Sequence, residues 1–176
     1  LSGVLNEVYL VTAGEEKLVA KKFIEWHGFK WFILNLFALG SRVFSVAGKT
    51  RLSNEYGVNK FLADNGISVP EIVYLSLPDR ILFEEFLDGF PLSELARTIA
   101  FREYTTRNER KIVKDVGRKI AQIHLLDIAL GDCKPENFIF GKDGELYCLD
   151  LEQAGKGGDK SWDIAEFLYY SGHYGT

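Results

Sequence analysis

The 176-residue chain carries 21 basic and 25 acidic side chains, a net charge of −4, and is 47% apolar and 26% charged. That length and apolar content allow one domain or two small lobes with a sizeable core. The acidic balance leaves no general footprint for nucleic acid, so nucleic-acid binding is not expected. No stretch reaches the length of a membrane span and no signal peptide is visible, so a cytoplasmic protein is expected. The two cysteines, Cys133 and Cys148, suit a reducing compartment rather than a disulfide scaffold. With no methionine and Leu1 at its start, the sequence is expected to lack its true N-terminus.

In chain order, Glu7 to Phe23 alternates and is rich in Val and Leu, with Ala13-Gly14-Glu15-Glu16 as its turn. This predicts a β-hairpin. The most apolar run, Phe29 to Leu39, is broken by Lys30 and Asn35 and reads as a buried or lobe-covering segment. Helical periodicity through Leu52, Tyr56, Asn59 and Leu62 predicts a helix over 51–65, with Gly66 as its stop. Pro70 and Pro78 punctuate two short strands, 72–75 and 81–86, and Leu87-Asp88-Gly89 reads as a linker.

Beyond the linker the pattern turns helical, with a short helix at 92–99 and a long one over 108–126. On the long helix Ile112, Val116, Ile120 and Ile123 form an apolar row. Opposite it, Arg107, Lys111, Lys114 and Arg118 form a basic row, in a stretch (Arg97 to Lys119) with eight basic residues against three acidic. A solvated face is the plainer reading of that row, and an anionic partner the sharper one. A last helix is expected over 161–170, with Ser161 as N-cap and Asp163 in its first turn. A β-rich front (1–87) and an α-rich back (88–176) predict an α+β, bilobal chain with a ligand cleft between the lobes.

The most informative segment is Gly131-Asp132-Cys133-Lys134-Pro135-Glu136-Asn137, followed by Phe138-Ile139-Phe140 and, after a turn, Leu146 to Asp150. Asp143-Gly144 between β-prone residues signals a hairpin that returns Asp150 to the side of Asn137. An Asp, a Lys two later, an Asn five later and a second Asp thirteen beyond that Asn form the set that phosphoryl transfer needs. One carboxylate orients an attacking hydroxyl, a lysine neutralises the moving phosphate, and an amide and a carboxylate hold Mg²⁺ or Mn²⁺.

With these motifs in order, nearly the whole chain resembles the eukaryotic-type protein kinase superfamily. The resemblance implies a bilobal kinase fold, with a small β-rich N-lobe holding one main helix and a shortened, mostly helical C-lobe. Val19-Ala20-Lys21-Lys22 is similar to the family's Val-Ala-Ile-Lys strand. That implies Lys22 as the phosphate-binding lysine and Glu55 as its helix partner, with Val19 and Ala20 lining the nucleotide site. It further implies an adenine-binding hinge at Glu85 to Leu87, Ile139 as the floor under adenine, Asp132 and Lys134 as catalytic residues, and Asn137 and Asp150 as metal ligands. Asp163 is the implied support of the catalytic loop from beneath, and Ser2-Gly3 the remnant of a phosphate-covering loop.

The departures are equally specific. Leu130-Gly131 replaces the usual His-Arg before the catalytic Asp, Asp150-Leu151-Glu152 replaces Asp-Phe-Gly, and only twelve residues separate Asp150 from Asp163. In these features the chain is similar to compact atypical kinases, the RIO family and the KEOPS-complex kinase. Arg51-x-x-x-Glu55 followed by Gly66-Ile67-x-Val69-Pro70 resembles the latter, although Trp26 to Phe37 is aromatic and apolar where that kinase carries a basic stretch. The leading expectation is an ATP-dependent Ser/Thr protein kinase. A small-molecule or glycan kinase of the aminoglycoside, choline and lipopolysaccharide type is the first alternative, resembled through Asp150-Leu151-Glu152 and Asp163-Ile164-Ala165. A catalytically silent scaffold or weak ATPase is the second.

Overall fold

A computed structural model describes residues 6–25, 48–102 and 104–174. The apolar run at 29–39 and Ser2-Gly3 lie outside them. The hairpin forms as β1 (Asn6–Ala13) and β2 (Glu16–Phe23), paired in unbroken register from Asn6↔Phe23 to Ala13↔Glu16. Helix α1 (Gly48–Asp64) follows, then β3 (Ile72–Ser76) and β4 (Ile81–Glu85). The four strands make one antiparallel sheet in the order β1-β2-β4-β3. Phe23 and Leu82 from the sheet meet Leu52 of α1 in a small apolar cluster.

Helix α1 ends as its sequence requires. Gly66 sits at φ +76°, its N–H donates to Ala63 O at 3.0 Å, and Ile67 N–H donates to Leu62 O at 3.0 Å. This paired closure satisfies the last carbonyls of the helix and carries Leu62 and Ile67 into the core.

The expected linker is short, because Gly89 already opens β5 (Gly89–Pro91). Then come α2 (Leu92–Ala100), α3 (Arg107–Leu125), β6 (Ile128–Ala129), a 3₁₀ turn (Pro135–Asn137), β7 (Phe138–Gly141), β8 (Leu146–Cys148), β9 (Gly155–Lys156) and α4 (Lys160–His173). Strands β5, β7 and β8 form one small antiparallel sheet, and β6 pairs with β9. Helix α3 starts one residue before the expected 108, because Thr106 and Glu109 cap each other's backbone N–H groups at 3.2 and 2.7 Å. The cap of α4 is Asp159, not Ser161. Its Oδ1 accepts from Ser161 N at 3.0 Å, and the helix therefore begins at Lys160.

The larger core packs Ile112, Val116, Ile120 and Ile123 of α3 against Phe138, Leu146, Cys148 and Leu151. It draws on both sides of residues 87–88, since Val58 and Leu62 of α1 and Ile67 and Val69 after it join the same cluster. One backbone position in it is sterically exacting. Gly131 lies at φ +76°, and a Cβ there would stand 2.4 Å from Gln153 O. The glycine that replaces the usual arginine is thus required by the close passage of 131 against 153. Gly131→Ala is expected to destabilise the fold by ~2–4 kcal/mol through strain and clash together, read as a lowered midpoint in urea unfolding with an unchanged slope.

Candidate active site

A cleft of about 580 Å³ lies between the four-stranded sheet and the 131–152 region. From the sheet it is lined by Val8, Val19, Lys21, Glu84 and Glu85, followed by Phe86 and Leu87. From the other side come Asp132, Lys134, Asn137, Ile139, Leu149, Asp150 and Glu152.

The lysine in the cleft is Lys21, not Lys22. Side chains alternate along a strand, and Val19, Lys21 and Phe23 share the face of β2 that is turned to α1 and the cleft, with Leu82 and Glu84 of β4 beside them. Lys22 is exposed on the other face, and Ala20, although buried, is on that face too and does not line the cleft. The doubled lysine hides this in the sequence; only the phase of the alternation, fixed by apolar Phe23, distinguishes the two. Glu84 was not legible as a site residue, since it precedes the expected hinge and looks like an ordinary strand acid.

Lys21 Nζ lies 3.1 Å from Glu55 Oε1 and 3.1 Å from Glu84 Oε1. All three side chains are buried. Burial alone would lower the Lys21 ammonium, but the charges of Glu55, Glu84 and Asp150 outweigh it and hold it well above the usual lysine value. Glu55 is pushed up to about 7 by burial, which Lys21 only partly offsets. Glu55 Oε2 and Glu84 Oε2 are buried without a hydrogen-bond partner among the described residues. One cation therefore serves an excess of carboxylate.

Across the cleft, the 3₁₀ turn follows Asp132 and Lys134 and presents Asn137. Lys134 Nζ stands 2.6 Å from Asp132 Oδ1 and over the Tyr170 ring at 5.2 Å. Burial would lower Lys134, and the hydrogen bond and charge of Asp132 raise it above its ordinary value instead. Asn137 Nδ2 donates to Asp132 O at 2.8 Å, which commits the amide NH₂ to the loop and leaves Oδ1 as the acceptor. Leu149 N donates to Asn137 O at 2.8 Å, so the β7–β8 hairpin does return Asp150 to Asn137.

Asp163 anchors this loop from below. Fully buried, its carboxylate accepts from Leu130 N at 2.7 Å and Gly131 N at 2.8 Å and lies 2.8 Å from His124 Nε2. Glu166, one turn later on α4, accepts from Cys133 N at 2.8 Å.

Asp150 adopts a left-handed backbone, φ 55°. Its carboxyl is pushed up to about 6 by burial and by the nearby charges of Glu152, Asp132 and Glu84, against the pull of Lys21. A divalent cation relieves such crowding. The donors fit Mg²⁺ or Mn²⁺: one carboxylate, Asp150, and one amide oxygen, Asn137, with phosphate oxygens supplying the rest. Among the described residues no group of three or more His, Cys, Asp or Glu is placed to hold a metal ion by itself.

The family model of lipopolysaccharide kinases (Kdo/WaaP) matches residues 40–166, well over half of the chain. The chain belongs to this lipopolysaccharide kinase family. The match takes in Glu55, Asp132, Asn137, Asp150 and Asp163, and starts after Lys21. The chain is also similar to the KEOPS complex subunit Bud32 of Pyrococcus abyssi (strain GE5 / Orsay), 26% identical over 103 residues. That alignment takes in 58% of this chain and 44% of the relative, so this chain spans less than half the length of the curated protein it matches. A kinase-fold α+β chain of compact, atypical type accounts for both likenesses.

Because folding raises the Asp150 pKa from 3.8 to about 6, the folded state holds more protons than the unfolded one between those values. Stability therefore falls as pH rises through that window and stays lowered above it. In EDTA at pH 8, Asp150→Asn is expected to gain on the order of 2 kcal/mol, a rise of several degrees in Tm that shrinks below pH 6 and vanishes near pH 4.

Cys133 and Cys148 are buried, and burial pushes both thiols up, Cys148 to about 12. Neither is expected to react with iodoacetamide at pH 8 until the protein is unfolded, by mass spectrometry.

Proposed function

We propose that the chain is an ATP-dependent phosphotransferase that uses Mg²⁺ or Mn²⁺ and delivers phosphate to a sugar hydroxyl of a glycan. The observation that carries this reading is that one cleft gathers the Lys21–Glu55 pair with Asp132, Lys134, Asn137 and Asp150. Adenine would lie between Val19 and Ile139 against the Glu85–Leu87 hinge, with Lys21 aligning the phosphates. Asp132 would accept a hydrogen bond from the acceptor hydroxyl, aim it in line with the γ-phosphorus and take its proton. The new oxygen–phosphorus bond forms as the bond to the leaving ADP oxygen breaks. Lys134, beside Asp132, would balance charge on the transferred group. A metal held by Asn137 and Asp150 would neutralise the phosphates. Family membership supports a glycan acceptor, and the short span between Asp150 and Asp163, where β9 is tied to β6, is in keeping with it.

A protein Ser/Thr hydroxyl is the second reading, favoured by Lys134 two residues after Asp132 and in contact with it at 2.6 Å. An anionic partner fits the groove of α3 lined by Arg107, Arg110, Lys111, Lys114 and Arg118. A cytoplasmic setting goes with this reading, in keeping with buried, reduced thiols. No helix among the described residues is long and apolar enough to cross a membrane.

The test is transfer of label from γ-³²P-ATP, with Mg²⁺ and with Mn²⁺, to a lipopolysaccharide core oligosaccharide and to casein. Label is expected on the oligosaccharide and reduced at least ~10³-fold in Asp132→Ala and in Asp150→Ala. Label on casein alone would move the acceptor to protein. ATP binding with no transfer to either would leave the scaffold reading.

A further inference from the structure

Two residues after Asp150 the chain places a carboxylate, Glu152, and nothing in the reaction described above uses it. Glu152 is buried, 5% exposed, and its Oε2 lies 3.0 Å from Arg51 Nη1 and 2.6 Å from Asn6 Nδ2. Arg51 is wholly buried in the first turn of α1, four residues before Glu55. Its Nη1 also donates to Asn6 Oδ1 at 2.5 Å and its Nη2 to Ile24 O at 2.8 Å, while the guanidinium stands 5.7 Å from the centre of the Phe23 ring. One residue before Glu55, Asn54 Nδ2 donates to the carbonyls of Glu152 at 2.8 Å and Ala154 at 2.5 Å. Three side chains within five residues of one helix thus reach Lys21, the backbone of 152–154 and the Glu152 carboxylate.

A buried ion pair adds little net stability compared with apolar groups of the same volume, because desolvation offsets most of the attraction. What it does supply is direction, since each partner's hydrogen bonds accept one geometry. Such a constraint has a use here. Asp150 sits at φ 55°, a backbone state that a residue with a Cβ holds only when its surroundings enforce it. Leu151, buried in the core, fixes one side of that turn, and the Glu152 clamp fixes the other.

We propose that Glu152 is a positioning residue. Held by Arg51 and Asn6, it locks Asp150 in its metal-facing conformation and joins the metal loop to α1 as one body, so that Lys21–Glu55 and Asp150 are assembled together without any activating modification. This rests on Asp150 being a metal ligand, as proposed above.

The test uses Arg51→Met/Glu152→Leu, which removes both buried charges at similar volume, and Glu152→Gln, which keeps shape and hydrogen bonding but not charge. The first readout is Mn²⁺ binding by electron paramagnetic resonance with a non-hydrolysable ATP analogue present. The second is hydrogen exchange of the 151–154 amides without metal. The double variant is expected to fold, to need at least ~10-fold more Mn²⁺ for half-saturation and to exchange those amides at least ~10-fold faster. Glu152→Gln is expected to shift both in the same direction by a smaller factor.

A merely structural defect would lower the fraction of binding protein without moving the Mn²⁺ midpoint. Wild-type exchange at 151–154 in either folded variant overturns the proposal, as does, once wild type is seen to bind the ion, a wild-type Mn²⁺ midpoint in either folded variant. If the double variant does not fold, Glu152→Gln decides alone on the same two readouts. Faster exchange in the variants while wild type binds no Mn²⁺ would uphold the clamp and overturn the kinase reading instead.

Discussion

The site is governed by a charge imbalance. A single buried ammonium, Lys21, faces Glu55 and Glu84 at 3.1 Å each and feels Asp150 as well. Crowding two buried carboxylates and a half-buried third against one cation is unfavourable, and the raised values of Glu55 and Asp150 record it. The fold keeps the arrangement because core packing on both sides leaves these side chains no other place. Such a site carries a standing demand for positive charge, which the nucleotide-bound dication proposed above would meet.

Two buried polar anchors carry the geometry outward from that centre. Asp163 ties the 130–131 backbone to α4 through two charge-assisted hydrogen bonds, and α1 grips the loop after Asp150. Between the anchors the chain has no slack. β9 is paired to β6, Gly131 is pressed against Gln153, and Leu151 is sealed in the core. The residues that depart from the kinase-like pattern, Gly131 and Glu152, are thus structural parts of a more tightly tied site.

Much of this was legible in the sequence because the signals were local. Alternation gave the first hairpin, Gly66 the end of α1, and Asp143-Gly144 the turn that returns Asp150 to Asn137. The spacing from Asp132 to Asp150 picked out residues that line one cleft. What was hidden depended on phase or on long-range partners. Whether Lys21 or Lys22 enters the cleft is a matter of one residue of strand register. Glu84 reads as an ordinary charge, and Arg51 only as one letter of a motif, until partners distant in sequence, Lys21 and Glu152, are brought beside them. Short strands such as β5, β6 and β9 exist only through tertiary pairing and have no sequence pattern of their own.

The position of Glu84 also bears on how the cleft discriminates among small molecules. It stands on β4 immediately before the hinge, buried, with one oxygen unpartnered among the described residues. At the back of an adenine pocket an apolar side chain would admit bulky hydrophobic groups. A buried carboxylate instead repels acceptor-rich rings and welcomes an amine. If the cleft holds adenine as proposed, a cationic group on a purine mimic would meet the open oxygen of Glu84.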